Sequence, residues 1–444
     1  MTSFTESELA EVGREAARAA WAHGLTVLRD GAFVPIPVVA EPAVYPRAAL
    51  EALAAEARAI LSGSVKLARA LLAAGDGRDR AALFGPFEGL EREAMERLLE
   101  EAPCAAIMAR VDFLPVEGGG PPRALELNAT IPAMSGYSDL AAHAWLRAAA
   151  RARGLPPRVG EDLVAAAGSN MENLRAALCA FYEARGGTRA RPSIAVVSRP
   201  ADSQTGELRR IVEHLRQMGH DAEHLTPDAC DPRRWDVLYR HVWAHNTPPE
   251  APFAEALRHP ARFVLANPVN GMLEAKALFA RLSEAGDDRA LADRAGLDDS
   301  ERAAAARLPF TRRLDAGLAP RLLAERERWV LKRSWDYGGK SVHLGAVMTE
   351  EAWRAAVEAA LRDERGGGFI AQERVVTGHA PATRVTPEGV ERAPLYRDVS
   401  TYCGLGLSAP NGSVVRAAAS PVVNILGGGG IAPVVADDVL ARLA

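Results

Sequence analysis

Cysteine is scarce in this sequence: four residues are spread along 444 positions, and no two of them form a CxxC pair. The sequence therefore predicts neither a zinc site nor a disulfide framework, and isolated thiols of this kind are typical of a reducing compartment. Long apolar runs are also missing: no segment approaches eighteen apolar residues without a charge, and a membrane span is not expected.

An excess of charge of one sign is absent as well. The chain has 53 basic against 57 acidic side chains, a net charge of −4, and its many arginines alternate with acids. This pattern is typical of solvated helix faces and argues against a general affinity for nucleic acid or anionic membranes. Residues 1–21 carry acids and lack a basic segment followed by an apolar one, so we expect no signal peptide and a cytoplasmic location.

The distribution of apolar residues predicts an α/β (α+β) protein with three parts. Residues 1–185 contain N-terminal helices, followed by two strands in CAAIMARVDFLPV and RALELNATI that a Gly/Pro turn joins. Residues 186–270 alternate short apolar strands with a helix, which favours a small domain with parallel strands. Residues 271–444 are strand-rich and contain two glycine-rich segments.

The segment WVLKRSWDYGGKSVHLG, residues 329–345, ends its glycine turn in Gly-Lys-Ser. A P-loop needs a glycine at the position of Ser334 and a helix after the motif, and the sequence has neither. We predict strand, glycine turn and strand instead. Lys332 would then meet phosphate oxygens, and the backbone N–H groups of Gly338 and Gly339 would approach an anion. The alternative is an ordinary hairpin with a surface lysine.

The two strands of the first part place polar side chains together. Glu126 and Asn128 alternate with apolar residues and therefore share one face of their strand, and Arg110 and Asp112 share one face of the preceding strand. Carboxylate and amide oxygens are ligands that suit Mg²⁺. The alternative is a solvated sheet face that carries salt bridges.

The C-terminal region adds further polar residues in strand-like segments: Asp398, Arg416 and Asn424. Four consecutive glycines, 427–430, follow them. Ordering such a run costs conformational entropy, and a loop that closes over a ligand would explain its presence. A flexible surface turn is the alternative.

Taken together, these segments resemble the ATP-grasp ligases, in the permuted arrangement of eukaryotic-type glutathione synthetase and the glutathionylspermidine synthase-like proteins. RVDF…LELNATIPAMSG is similar to the metal- and substrate-binding segment of that family, and NPVNGMLEAKALFARLSE to its helix with a phosphate-binding lysine. WVLKRSWDYGGKSVHLG resembles the nucleotide strand and loop, and GFIAQERV the adenine hinge. YRDVSTYCG and VVRAAASPVVNILGGGGIAPVV resemble the segments of a third acidic ligand, the substrate arginine and the closing loop.

The resemblance implies a permuted ATP-grasp fold, ATP and Mg²⁺ as cofactors, and a ligase that joins a small-molecule carboxylate (an amino acid or peptide) to an amine. The implied nucleotide-binding residues are Lys276, Lys332, Gly338, Gly339, Lys340, Gln372, Glu373, Asn424, Gly428 and Gly429. The implied metal ligands are Glu126, Asn128 and Asp398. Arg110 and Arg416 would be catalytic, and the implied substrate-binding residues are Arg110, Asp112, Ser135, Tyr137 and Arg416.

Four residues differ from the family pattern. Arg333 stands where a proline normally follows the strand lysine, the glycine-rich loop is short and carries Trp335 and Tyr337, and Pro132 replaces a small polar residue. Two other functions stay open: a binding module that kept the fold without turnover, and a phosphotransferase that stops at a phosphorylated product.

Overall fold

The structure is a computed structural model that describes residues 4–100, 107–336, 339, 341–406, 412–425 and 427–443. Gly338 and Lys340, two of the predicted nucleotide-binding residues, lie outside the described residues.

The helices are α1 (Glu6–Ala22), α2 (Arg47–Ala73), α3 (Gly77–Phe84), α4 (Gly89–Glu100), α5 (Ser135–Ala152), α6 (Pro157–Ala167), α7 (Asn170–Ala184), α8 (Thr205–Gln217), α9 (Ala254–Arg258), α10 (Lys276–Asp287), α11 (Arg289–Ala295), α12 (Asp299–Ala306), α13 (Ala319–Ala324), α14 (Glu350–Arg362) and α15 (Asp437–Leu440). Within the described ranges, each helix is too short or too polar to span a lipid bilayer.

The strands are β1 (Thr26–Arg29), β2 (Ala32–Pro35), β3 (Val38–Val39), β4 (Ala43–Tyr45), β5 (Ile107–Leu114), β6 (Arg123–Asn128), β7 (Ile194–Ser198), β8 (Ala222–Leu225), β9 (Val237–His241), β10 (Leu265–Ala266), β11 (Thr311–Arg313), β12 (Trp329–Arg333), β13 (Val342–Leu344), β14 (Phe369–Glu373), β15 (His379–Thr386), β16 (Gly389–Leu405), β17 (Gly412–Ala418), β18 (Gly430–Ala432) and β19 (Val434–Ala436). They confirm a mixed α/β protein with several sheets, some of them parallel.

A seven-stranded sheet with the order β15-β3-β18-β17-β16-β5-β6 forms the centre of the molecule. Every residue of β5 is buried because the strand lies between β16 and β6. Helix α2 packs against this sheet with residues at helical spacing, among them Leu53, Ala57, Ile60 and Leu61. The opposite face of β5 and β6 carries the polar side chains.

A second, antiparallel sheet with the order β11-β14-β12-β13 faces that polar surface. The aromatic residues Trp329, Trp353 and Phe369 are buried between this sheet and the neighbouring helices. As predicted, the segment 329–345 contains two strands, since β12 near its start pairs antiparallel with β13 near its end.

The middle of the chain forms a parallel sheet with the order β10-β9-β7-β8, as its apolar runs predict. The first hundred residues are less helical than their pattern suggests, because β1–β4 lie between α1 and α2. Within the described residues, β3 and β4 pair with strands that are distant in sequence: β3 pairs with β15 and β18, and β4 pairs with β19. Such partners leave little signal in the local sequence, and the predicted limits of the three parts stay a prediction.

Candidate active site

One cleft of about 310 Å³ lies between the polar face of the central sheet and the β12 sheet. Most of the predicted site residues line it: Arg110, Asp112, Glu126, Asn128, Lys276, Lys332, Gly339, Gln372, Glu373, Asp398, Arg416 and Asn424. Residues from the first and last thirds of the sequence therefore meet in one place.

Strand register explains how the acidic and amide groups come together. Arg110 lies opposite Asn128, and Asp112 lies opposite Glu126, across the antiparallel β5–β6 pair. An irregularity in the pairing follows at Asp112/Phe113 and shifts the register beyond the polar residues. The prediction that two adjoining strands present these four side chains together is confirmed.

Asp112 joins two arginines on the cleft floor. Its carboxylate accepts hydrogen bonds from Arg110 at 2.7 Å (Nε–Oδ1) and 3.1 Å (Nη2–Oδ2), and from Arg416 at 2.9 Å (Nη2–Oδ2). Burial alone would raise the pKa of Asp112, but the two guanidinium groups hold it well below its usual range. Asp112 is therefore an anion that keeps two buried cations side by side.

Asp398 is the last member of a row of charges, Arg110–Asp112–Arg416–Asp398, in which it pairs with Arg416. Its two oxygens accept hydrogen bonds from Nε of Arg416 at 3.2 Å (Oδ1) and 2.9 Å (Oδ2), and Oδ1 also accepts one from the backbone N–H of Arg416 at 3.1 Å. Burial raises the pKa of Asp398, although Arg416 opposes the rise. In this structure Arg416 engages both oxygens of Asp398, and the role of Asp398 as a metal ligand stays a prediction.

Two lysines face the acids across the cleft. Lys276 is the first residue of α10, and its Nζ lies 3.0 Å from the backbone oxygen of Asp336 and 3.6 Å from Glu126 Oε2. The Lys332 side chain is buried in β12, and among the described residues no hydrogen bond or ion pair holds its ammonium. Burial lowers the pKa of Lys332 to about 8, with Glu126 acting in the opposite direction. A buried cation without a partner is suited to an anionic ligand.

The predicted hinge lies at the start of β12. Gln372 is opposite Val330, and its Nε2 donates to the Leu125 carbonyl at 3.3 Å and to Thr311 Oγ1 at 3.1 Å. Glu373 accepts a hydrogen bond from Arg328 at 3.0 Å. Apolar side chains line this end of the cleft, namely Leu125, Val330, Leu344, Val347 and Val375. A flat apolar ring would find contacts here on several sides.

This chain is similar to known proteins in its fold and not in its sequence. No family model matches the sequence, and no curated protein matches it. A solved structure of a glutathione synthetase-like effector from Globodera pallida, in its apoform, matches with a TM-score of 0.61, covering 97% of this chain and 97% of that one at 14% identity. The fold is that of a glutathione synthetase-like protein. A putative gamma-glutamylcysteine synthetase from Methylobacillus flagellatus matches more loosely, with a TM-score of 0.37 at 13% identity over 77% of this chain and 85% of that one.

Two predicted substrate residues lie away from the cleft. Ser135 and Tyr137 are in the first turn of α5, where Ser135 Oγ donates to Glu207 Oε1 at 3.1 Å. Tyr137 is fully buried in an apolar cluster, and its hydroxyl donates to the Thr26 carbonyl. Both side chains hold α5 against its neighbours, and the structure does not place them where they would touch a ligand in the cleft.

Gly428 and Gly429, two of the predicted nucleotide-binding residues, do not line the cleft in this structure. Gly429 donates its N–H to the Asn424 carbonyl at 2.9 Å, and the carbonyl of Gly428 accepts a hydrogen bond from Arg384 at 2.7 Å. The segment just before the run, residues 421–424, lines the cleft, whereas Gly428 and Gly429 do not. The residues that precede the glycines therefore form this part of the cleft wall in this structure.

The cleft is also lined by residues that were not predicted, among them Trp243, Glu274, Trp335 and Asp336. Trp335 and Asp336 belong to the nucleotide segment, and Glu274 stands two residues before Lys276, so proximity to the motif lysines was an available signal. Trp243 follows β9, and the carboxyl ends of parallel strands are where ligands of α/β proteins bind.

The cleft offers oxygen ligands for a divalent cation, although no group of three or more His, Cys, Asp or Glu side chains within the described part of the chain is close enough to hold one. Glu126 is only partly buried and has Lys276 as a partner at 3.6 Å. Asn128 is partly buried, and its buried Nδ2 has no hydrogen-bond partner among the described residues. Mg²⁺ needs only one or two protein oxygens when phosphates and water supply the others, and Glu126 and Asn128 fit that requirement.

Proposed function

We propose that the protein is an ATP-dependent carboxylate–amine ligase of the permuted ATP-grasp type, acting on small molecules in the cytoplasm. The observation that carries the proposal is the convergence of Lys276 and Lys332 with Glu126 and Asn128 in one cleft. The order of these residues along the chain, with the acidic strand ahead of the lysine strand, supports the permuted arrangement. The glutathione synthetase-like fold supports the same class of reaction.

The binding roles follow from the charges and the shape of the cleft. The adenine ring would lie among the apolar residues beside Val330 and Gln372, and the phosphates would lie between Lys276 and Lys332. Glu126 and Asn128 would hold Mg²⁺, which supplies charge neutralisation to phosphate oxygens when bound. Phosphoryl transfer depends mainly on positioning and electrostatic stabilisation, and these side chains provide both.

The reaction has two steps. A substrate carboxylate attacks the γ-phosphorus of ATP, which forms an acyl phosphate and releases ADP. The amine then attacks the acyl carbon, and an amide and inorganic phosphate leave as products, with one proton released from the amine. The protein must keep water from the acyl phosphate between the two steps.

Arg416 is suited to bind the substrate carboxylate. Its Nε and Nη2 are held by Asp398 and Asp112, which fixes the plane of the guanidinium. Within the described part of the chain, Nη1 has no hydrogen-bond partner, and the residue lines the cleft. Arg110 is more enclosed, since its Nη1 donates to the Ala133 carbonyl at 2.8 Å, and we assign it the support of Asp112.

Mg²⁺-dependent ADP formation tests the proposal. Pairs of amino acids, short peptides and amines are screened with Mg·ATP, and products are identified by mass. We expect an amide product with one of these pairs, and loss of activity on the order of 100-fold for Glu126→Gln. Glu223→Gln, an exposed residue of β8, serves as a control that keeps full activity.

The outcomes separate the remaining functions. If the protein binds ATP but releases no ADP with any pair, the result would contradict the ligase and favour a binding module. If a phosphorylated product forms without an amine, the result would contradict the ligase and favour a phosphotransferase.

The pKa of Lys332 predicts how nucleotide affinity depends on pH. The ammonium form binds phosphate, so the dissociation constant of Mg·ATP should be constant below the Lys332 pKa of about 8. Above it, the constant should rise about tenfold per pH unit, because a growing fraction of the free protein is neutral at this position. Calorimetric titrations between pH 6.5 and 9.5 measure this. Lys332→Arg, which stays charged throughout, should remove the dependence, and an unchanged profile in that variant would contradict the assignment to Lys332.

A further inference from the structure

An aromatic cluster forms one end of the cleft. Trp335 contacts three rings at centroid distances of 4.9 Å (Phe87), 5.5 Å (Trp243) and 5.7 Å (His245), and Trp243 stacks on His245 at 5.8 Å. Trp243 and Trp335 are only half-buried, and both line the cleft. These two rings therefore keep free surface that faces a ligand.

The aromatic cluster lies at the opposite end of β12 from the adenine hinge. Gln372 pairs with Val330 near the start of the strand, and Lys332 lies near its end. The extended backbone continues beyond the strand, since Ser334 and Trp335 donate their N–H groups to Gly368 and Gly366 at 2.7 Å and 2.9 Å. At about 3.3 Å per residue, Val330 and Trp335 are separated by about 16 Å. A nucleotide that occupies the hinge and the lysines would leave the tryptophans to a second molecule.

The acids around the tryptophans already have partners. Asp336 accepts hydrogen bonds from Ser341 and from Arg333, the latter at 3.4 Å. Glu274 accepts a hydrogen bond from the backbone N–H of Thr130. Glu91, buried behind the cluster, accepts a hydrogen bond at Oε2 from the backbone N–H of His245 at 3.2 Å, while its Oε1 has no hydrogen-bond partner among the described residues. Each of these acids has at least one partner in the protein, and the free faces of the two rings offer a flat apolar surface on which a planar group can stack.

We propose that Trp243 and Trp335 form a subsite for the aromatic side chain of an amino-acid-like substrate. The inference rests on the proposed ligase and adds the class of its substrate. The ring of the substrate would contact the free surfaces of the two tryptophans, and its amine or carboxylate would extend toward Lys332 and Arg416. The same subsite would disfavour glycine, which has no side chain to bury, and linear polyamines, which have no planar apolar group to stack on the rings.

Binding in the presence of Mg²⁺ and a non-hydrolysable ATP analogue tests the subsite without requiring turnover. Calorimetry compares L-phenylalanine and L-tryptophan with L-alanine, glycine and spermidine. We expect the aromatic amino acids to bind at least about 10-fold more tightly, the factor that corresponds to burying one ring. Phenethylamine and 3-phenylpropanoate then show whether the substrate acts as the amine or as the acid.

Variants tie the preference to the two rings. Trp335→Ala and Trp243→Ala should each weaken L-phenylalanine binding about 10-fold and leave nucleotide binding within about twofold, which also shows that they fold. Trp335→Phe should retain most of the affinity. Phe33→Ala, which removes an exposed ring of β2, is the matched control.

Two results would overturn the subsite: glycine or spermidine binding as tightly as L-phenylalanine, or tryptophan variants that bind it unchanged. Failure to bind any of these ligands would also overturn it. Binding of aromatic amino acids without formation of an amide would contradict the proposed ligase and support the subsite. Formation of an amide only from non-aromatic substrates would support the ligase and contradict the subsite.

Discussion

Lys332→Met is expected to make the free protein harder to unfold and, at the same time, unable to use ATP. The Lys332 ammonium is buried in β12, where desolvation lowers its pKa to about 8. A lysine in an unfolded chain titrates near 10.4, so the folded protein holds this charge at a cost. Methionine has a similar shape and no charge, and it removes that cost together with the phosphate ligand.

The size of the effect depends on pH. Below pH 8 the lysine is charged in both states, and the penalty of about 3 kcal/mol is fully present. It declines between pH 8 and pH 10.4, where the folded state is neutral and the unfolded state is still protonated, and it is absent above that range. Lys332→Met should therefore raise the free energy of unfolding by up to about 3 kcal/mol at pH 7 and by much less near pH 10.

Urea unfolding at the two pH values measures the gain, and ADP formation measures the loss, expected to be on the order of 1,000-fold. Lys66→Met is the control, because the Lys66 ammonium lies 2.7 Å from the buried carboxylate of Glu301 and its removal should lower the stability. A Lys332→Met protein that unfolds more easily than the wild type would contradict the view that this charge is held under strain for function.

Asp112→Ala should destabilise the protein by about 3–5 kcal/mol. The substitution leaves Arg110 and Arg416 buried next to each other with Asp398 as the remaining carboxylate, so two cations share one anion. Guanidinium groups cannot deprotonate in the accessible pH range, and the repulsion cannot be relieved by titration. Thermal and urea unfolding measure the change.

A double variant separates charge from packing. Arg110→Met combined with Asp112→Ala removes one cation with the anion and should recover part of the loss, because the Arg416–Asp398 pair stays intact. Glu11→Ala breaks the exposed Arg14–Glu11 pair and should leave the unfolding midpoint unchanged. If Asp112→Ala behaves like Glu11→Ala, the row of charges contributes nothing to the fold.

The alternation of side chains was enough to predict the acidic half of the cleft. Glu126 and Asn128 share a face by the period of a strand, and the short turn after β5 makes the two strands neighbours. Lys332 was predicted from its place in a strand ahead of paired glycines, and Lys276 from motif resemblance. Composition carries a signal too: the chain has four lysines, Lys66, Lys276, Lys332 and Lys340. In a chain so rich in arginine, a lysine that lines a cleft stands out as a titratable point charge.

The remaining features depend on packing between distant segments. The bond between Asp398 and Arg416 follows from the register of β16 and β17, which local sequence does not fix. Tyr137 resembles a binding residue by its motif, yet the packing of α5 turns it into the core. Trp243 and Trp335 are 92 positions apart, and only the tertiary fold brings them into contact.

The pairing of β3 with β15 and β18 has a consequence for synthesis on the ribosome. Val38 and Val39 emerge early, but their partners near Val385 and Ile431 are among the later residues to be made. The central sheet therefore cannot close until Ile431 has been made, and its apolar edge stays without these partners until then. Nascent chains halted before residue 430 should be sensitive to protease and retained by chaperones, whereas the parallel sheet of β7–β10, whose strands are close in sequence, can fold before release.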